Sequence, residues 1–144
     1  MNIKLPIVLI LGWIVFNVSA SADQFDPEFA GSIDTTINDI STGGLWKEGE
    51  NYGRWRLIVR NFGWEHTRSF LYLQWLKIDD ENKNVIEFKT IPITEFNSGG
   101  WRNVIDVEYH DGSFAIHYSE RSSREKIHKA ILRPEMPGEY QIKF

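Results

Sequence analysis

The sequence predicts an all-β fold, an antiparallel meander of about eight strands that forms a small barrel or a two-sheet sandwich. Three observations support this prediction. From residue 44 onward, short runs rich in β-branched and aromatic residues follow one another along the chain. Clusters of turn-forming residues separate these runs at regular intervals. No internal repeat or low-complexity linker interrupts the pattern, which therefore indicates one domain.

Residues 1–22 are typical of a bacterial secretory signal peptide. An apolar core from Leu5 to Val18 is followed by Ala20-Ser21-Ala22, the small residues that signal peptidase requires. The core, at about 14 residues, is shorter than the roughly 20 that span a bilayer. We therefore expect cleavage before Asp23, a periplasmic or secreted mature protein, and no stable membrane anchor.

The segment 23–43 is expected to form a lead-in to the domain. It begins with acidic residues and Pro27, which favour an extended conformation. Ile33, Ile37 and Ile40 then recur at helical spacing behind Ser32, a residue type that caps helices, so a short helix is an option here. The single β domain is expected to span residues 44–144.

The strands of this domain are placed by their apolar runs and by the turns between them. Gly49-Glu50-Asn51 and Asp111-Gly112 are examples of the turn clusters that mark strand ends. The predicted strands are 44–48, 52–61, 68–78, 85–92, 102–110, 113–119, 126–132 and 139–144.

Composition and charge limit the classes of partner. With 16 Lys and Arg against 20 Asp and Glu, the net charge is −4, which gives no electrostatic basis for general binding to nucleic acid. There is no cysteine, so neither disulfides nor an amino-terminal lipid is expected. Nucleophile-elbow, zinc-helix and phosphate-loop motifs are missing from the sequence. We therefore expect a binding protein more than an enzyme, and no cofactor.

The Asp111-Gly112 hairpin fixes a register that suggests a metal site. A two-residue turn places Asp106 opposite His117. If the next turn is centred between Ser122 and Ser123, His117 lies opposite His128. Asp106, His117 and His128 then form one row across three strands, which could hold zinc or copper or orient His117 as a base, and the alternative is an ordinary solvated sheet face. The same register predicts one core face: Ile105, Val107, Tyr109, Phe114, Ile116, Tyr118, Ile127 and Ile131.

Arginines form a stripe along the second predicted strand. Arg54, Arg56 and Arg60 alternate with apolar residues and therefore share one side, and His66 and Arg68 follow in the adjoining loop. Such a stripe could receive a carboxylate-bearing or phosphorylated partner. Alternatively, the arginines pair with surface acids and cover Leu73 and Trp75 with their stems.

Aromatic residues follow the stripe in the loop and in the next strand. The segment from Phe62 to His66 presents Phe62 and Trp64 either for recognition or, in the case of Trp64, as a plug for the end of the domain. The strand 70–76 is apolar on both faces. Its row of large apolar side chains requires cover from another part of the chain or from a second copy in a homodimer. This row comprises Leu71, Leu73 and Trp75.

Gly44-Leu45-Trp46, at the start of the first predicted strand, resembles the Gly-x-Trp opening of lipocalins and avidin-like proteins. The resemblance covers three residues and an approximate strand count. It implies an up-and-down barrel in which Trp46 closes one end and a small ligand lies inside.

The leading functional expectation is a non-catalytic binding protein that engages a protein partner, as an inhibitor or immunity-type protein does. The alternatives are a small-ligand or saccharide-binding protein and, third, a metal-dependent or general-base hydrolase. The residues assigned to the binding surface are Arg54, Arg56, Arg60, Trp64, Glu65, His66, Arg68 and Trp75.

Overall fold

A computed structural model describes residues 35–63, 66–121 and 123–144 of the chain. The expected signal peptide, 1–22, and most of the expected lead-in lie outside these residues. The described residues form eight strands and one short helix: β1 (Ile37–Glu48), β2 (Asn51–Phe62), β3 (Arg68–Asp79), β4 (Asn84–Pro92), α1 (Thr94–Ser98), β5 (Arg102–His110), β6 (Ser113–Glu120), β7 (Ser123–Pro134) and β8 (Tyr140–Lys143).

The strands form two antiparallel sheets of four strands each. The first sheet has the order β1-β2-β3-β4 and the second the order β5-β6-β7-β8, so each strand pairs with its neighbours in sequence. The all-β meander is therefore confirmed. The sheets do not close into a barrel, and the lipocalin-like alternative is wrong. The arrangement is that of a two-sheet sandwich.

Two elements differ from the sequence prediction. β1 begins at Ile37, so Ile37 and Ile40 lie in a strand and not in a helix. Pairing decides this, because Ile40 lies opposite Ile58 on β2, and β-branched residues fit a pleated strand well. The helix α1 was not predicted, since five residues are too few to show a helical period. It packs through Phe96, whose side chain is buried.

The Asp111-Gly112 turn has the predicted geometry. Asp111 and Gly112 have φ angles of 46° and 78°, the two positive values that a tight hairpin turn requires. The register is as predicted from the turn to the pair Asp106 and His117. A bulge then occurs at Ile105, so that Val104 and not Ile105 pairs with Tyr118.

The core lies between the inner faces of the two sheets. Leu71, Leu73 and Trp75 have no exposed surface, so the prediction that this row is covered is confirmed, and the cover includes residues of the second sheet of the same chain. The buried apolar residues are Trp46, Leu57, Val59, Leu71, Leu73, Trp75, Ile93, Phe96, Val104, Phe114, Ala115, Ile116, Tyr118, Ala130 and Leu132.

Three residues of the predicted core face of the second sheet are exposed. Ile105, Ile127 and Ile131 face solvent because of the bulge in β5 and a one-residue difference in the pairing of β6 with β7. Side chains alternate along a strand, so a shift of one residue exchanges the two faces. Across the described residues, no helix is long and apolar enough to cross a membrane.

Candidate functional site

Outward-facing residues of β2 and β3 place arginines beside aromatic rings. The pleat turns every second residue of β2 away from the core, and the antiparallel register sets each one opposite an outward residue of β3. Arg60 pairs with Phe70, and Phe62 pairs with Arg68. We call this surface the arginine–aromatic face, which consists of Arg54, Arg56, Arg60, Phe62, Arg68, Phe70 and Tyr72.

Cation–π contacts organise this face. The guanidinium of Arg60 lies 5.2 Å from the ring centre of Phe62 and 6.0 Å from that of Tyr72. The guanidinium of Arg68 lies 4.7 Å from the ring centre of Phe70. The rings of Phe62 and Phe70 meet edge to face at 5.4 Å. These contacts hold the guanidinium groups against aromatic rings. The arginine and aromatic side chains are therefore restricted in conformation.

Arg56 is held by a hydrogen-bonded row that crosses the first sheet. Its Nε donates to Oε1 of Gln74 at 2.7 Å. The amide nitrogen of Gln74 donates in turn to Glu87 at 2.9 Å and to Thr90 at 2.8 Å. Gln74 is only 4% exposed, so Arg56 is bonded to a buried and well-fixed side chain.

The alternative role foreseen for the arginine stripe is not the one observed. Leu73 and Trp75 point into the core, so the arginine stems do not cover them. Within the described ranges, no carboxylate lies within ion-pair distance of Arg54 or Arg56. Their charges are therefore not neutralised by acids in that part of the chain.

Arg68 also has a structural role. It donates to the backbone oxygen of Asn97 in α1, and its Nε is buried without a hydrogen-bond partner among the described residues. The side chain of Asn97 accepts from the backbone N–H of Leu71 at 2.8 Å and donates to its C=O at 3.0 Å. These bonds fix α1 against the beginning of β3.

The remaining residues of the predicted binding surface are not all on it. Trp64 and Glu65 lie outside the described residues. Trp75 is fully buried and donates from its indole to the backbone oxygen of Glu135 at 3.2 Å, so its assignment to a binding surface is wrong. His66 is exposed, and its ring lies edge-on to Trp101 at 6.2 Å.

The predicted metal row does not form. Nδ1 of His117 and Oδ2 of Asp106 are 4.0 Å apart, as neighbours on one face. A register shift near the end of β6, however, pairs His128 with Tyr118 and sets Lys129 opposite His117. The ring of His128 stacks on Tyr118, with centres 5.4 Å apart. Within the described part of the chain, no group of three or more His, Asp or Glu side chains could hold a metal ion.

A cleft that the sequence analysis missed lies where the loop before β3 meets the two ends of the β5–β6 hairpin. It has a volume of about 260 Å³, and we call it the Trp101 cleft. The cleft has no signal in the sequence, because most of the residues that meet Trp101 there are distant from it along the chain. The residues that line the cleft are His66, Thr67, Trp101, Asn103, Ser119, Glu120 and Arg121.

Glu120 is fixed in the Trp101 cleft by Arg102. The two side chains form an ion pair at 3.4 Å. The guanidinium of Arg102 lies 5.3 Å from the ring centres of both Phe96 and Tyr118 and 4.5 Å from that of Phe144. Burial raises the pKa of Tyr118, whose ring lies beside this pair. The Arg102–Glu120 pair therefore provides the cleft with a carboxylate in a fixed position, while the pair as a whole has little net charge.

The described residues thus form two surfaces of different chemistry. The arginine–aromatic face is part of a sheet surface and carries several cations, whereas the Trp101 cleft is concave and lined by one tryptophan and six polar or charged residues. No protein-family profile, curated protein or solved structure matches this chain.

Proposed function

We propose that this chain is an exported, non-catalytic binding protein that engages an acidic protein partner, in the manner of an inhibitor or immunity protein. The observation that carries the proposal is the arginine–aromatic face. On a chain of net charge −4, it gathers four arginines and three aromatic rings on one side of one sheet. The signal-peptide pattern of residues 1–22 supports export.

The shape and composition of the face favour a protein partner. Arginine and aromatic residues are the types that most often dominate the energy of protein interfaces. Phe62 is 40% exposed, and Ile40, in β1 on the same sheet, is 44% exposed, so apolar surface lies among the charges. Small molecules take concave sites instead, and this face is the outer surface of a sheet.

The charges on the face favour an acidic partner. Arg54 is exposed, and no acid of the described residues pairs with it. The neighbouring carboxylate of Glu87 accepts hydrogen bonds from Gln74 and Thr90. A cationic face on an acidic chain attracts an oppositely charged surface and orients the encounter.

Affinity capture with a matched pair of variants tests this proposal. The bait is the mature protein purified from the envelope fraction, whose amino terminus we expect at Asp23 by mass spectrometry. The face variant is Arg54→Glu/Phe62→Ser, in which both residues are exposed. The control is Lys126→Glu/Ile127→Ser, which makes the same type of change at exposed residues of β7 in the other sheet.

We expect the wild type and the control to retain the same acidic protein. The face variant should bind it at least about tenfold more weakly, the loss expected for one interface hot spot. Circular dichroism checks that all three proteins are folded. If the wild type retains no protein, or if both variants retain it equally, the proposal is wrong.

A further inference from the structure

We propose that the Trp101 cleft binds one carboxylate-bearing sugar ring, that is, a uronic acid residue of a saccharide. This site is separate from the arginine–aromatic face, and the inference goes beyond the proposed protein partner. It depends on the size of the cleft, its aromatic wall, its polar lining and its balance of charge.

The size of the cleft suits a small ligand. Its volume is about 260 Å³. Small-molecule sites typically measure about 300–1,000 Å³, so this cleft lies just below the lower limit of that range. A single ring with its substituents suits such a volume better than a folded segment or a long peptide does.

Trp101 provides a rigid aromatic wall. Its indole N–H donates to the backbone oxygen of Thr67 at 3.1 Å, and its backbone oxygen accepts from the N–H of Arg121 at 3.3 Å. Both the ring and its backbone are therefore fixed before any ligand arrives. The C–H groups of a sugar ring can pack against such a wall without loss of side-chain freedom.

The rest of the lining offers donors and acceptors for hydroxyl groups. The amide of Asn103 and the hydroxyl of Ser119 can each both donate and accept. Within the described residues, neither side chain forms a hydrogen bond to another part of the protein. Glu120 adds a carboxylate that Arg102 holds in place. This set matches the hydroxyl-rich edge of a sugar.

The charge of the lining favours a carboxylate on that sugar. Glu120 is neutralised by Arg102, whereas Arg121 carries a positive charge that no carboxylate of the described residues pairs with. Arg121 is exposed, lies 5.8 Å from the ring of Trp101, and forms no ion pair with a described carboxylate. Guanidinium groups bind carboxylates through two parallel hydrogen bonds, so Arg121 is suited to the acid group of the ring.

Calorimetry with matched sugars tests the inference on the mature protein. The probes are methyl glucuronide and methyl galacturonide, each compared with the corresponding neutral methyl glycoside. The test variants are Trp101→Phe and Arg121→Gln. The control variants, Trp55→Phe and Arg133→Gln, make the same changes at residues that do not line the cleft.

We expect at least one uronide to bind at least about tenfold more tightly than its neutral counterpart. Each test variant should weaken that binding by a similar factor, while the two controls and the variant Arg54→Glu/Phe62→Ser should leave it unchanged. Since Arg121 is exposed, Arg121→Gln is informative even if Trp101→Phe fails to fold. Failure of both uronides to bind, equal binding of the neutral sugars, or unchanged binding in Arg121→Gln would overturn the inference.

Discussion

At the scale of single residues, Gly53 shows how closely the backbones of the first sheet approach each other. A Cβ atom at this position would lie 1.7 Å from the backbone oxygen of Leu76 on β3. The indole of Trp46 donates to that same oxygen and to the backbone oxygen of Arg54, both at 3.2 Å. Trp46 therefore packs over a strip of backbone that only glycine leaves open.

Gly53→Ala should destabilise the protein by about 1–3 kcal/mol, the usual cost of forcing extra atoms into a packed site. The added methyl group must displace β3 or break the bonds of Trp46. Urea denaturation measures the change in the free energy of unfolding. Lys47→Ala, at an exposed neighbouring position, serves as the control. A loss below about 0.5 kcal/mol for Gly53→Ala would contradict the close approach.

The sequence predicts the conformation of some residues and not the environment of others. Asp111 and Gly112 adopt the positive φ values that their types favour, because turn chemistry is local. Trp75 was assigned to a surface and is buried instead. Its strand is apolar on both faces, so alternation alone does not indicate which face meets the second sheet.

At the scale of elements, the strand positions follow from the sequence more closely than their registers do. β5 has the predicted bounds, Arg102–His110, since turn clusters flank it on both sides. The bulge at Ile105 and the shift between Ser119 and Glu120 have no signal in the residue pattern. Each depends on how two strands fit together, and one such shift separated His128 from Asp106 and His117.

His117 and His128 should therefore respond differently to substitution. His128→Ala removes a ring stacked on the buried Tyr118 and should cost about 1 kcal/mol. His117→Ala, on the opposite face, should change stability by less than about 0.5 kcal/mol. Thermal unfolding of both variants under one condition gives the comparison. Equal losses, or a larger loss for His117→Ala, would contradict the observed register of β6 and β7.

At the scale of the whole molecule, the choice between barrel and sandwich depends on contacts that the strand pattern does not specify. A barrel requires pairing that continues between β4 and β5, and here α1 separates these two strands. The two sheets are not joined by strand pairing, and hydrogen bonds from side chains connect them. The backbone N–H of Val104 donates to the hydroxyl of Ser69 at 2.8 Å, and the indole of Trp75 donates to Glu135 at 3.2 Å.

The candidate sites also belong to this scale. The arginine stripe was visible in the sequence because its members lie on one strand at intervals of two and four residues, which place them on the same face. The Trp101 cleft was not visible, because Thr67, Trp101 and Ser119 meet only after the two sheets have packed. A surface built from one strand can therefore be predicted from the sequence, whereas a surface built from residues far apart along the chain cannot.

Tyr140 of β8 links the second sheet to α1. Its phenol donates to Oε2 of Glu95 in α1 at 2.5 Å and accepts from the backbone N–H of Thr94 at 3.1 Å. Burial, and then the hydrogen bond to Glu95, raise the pKa of Tyr140 above its ordinary value. The folded protein therefore favours the protonated phenol more than the unfolded chain does.

This link should make stability fall at alkaline pH. Because the pKa of Tyr140 is raised by folding, its contribution is fully present below the unfolded pKa, about 10, and is lost as the pH rises through the folded value. Tyr140→Phe should lose about 1 kcal/mol at neutral pH, since the hydrogen bonds are removed. Its stability should then decline less steeply than that of the wild type above about pH 10.

Urea denaturation of the wild type and Tyr140→Phe across the alkaline range tests this expectation. Glu95→Gln is a useful companion, because it keeps a hydrogen-bond acceptor for the phenol and removes the charge that opposes its ionisation. Its alkaline decline should lie between those of the wild type and Tyr140→Phe. Burial also raises the pKa of Tyr118, so some decline should persist in both variants. Parallel curves for all three proteins would show that Tyr140 does not make the stability depend on alkaline pH.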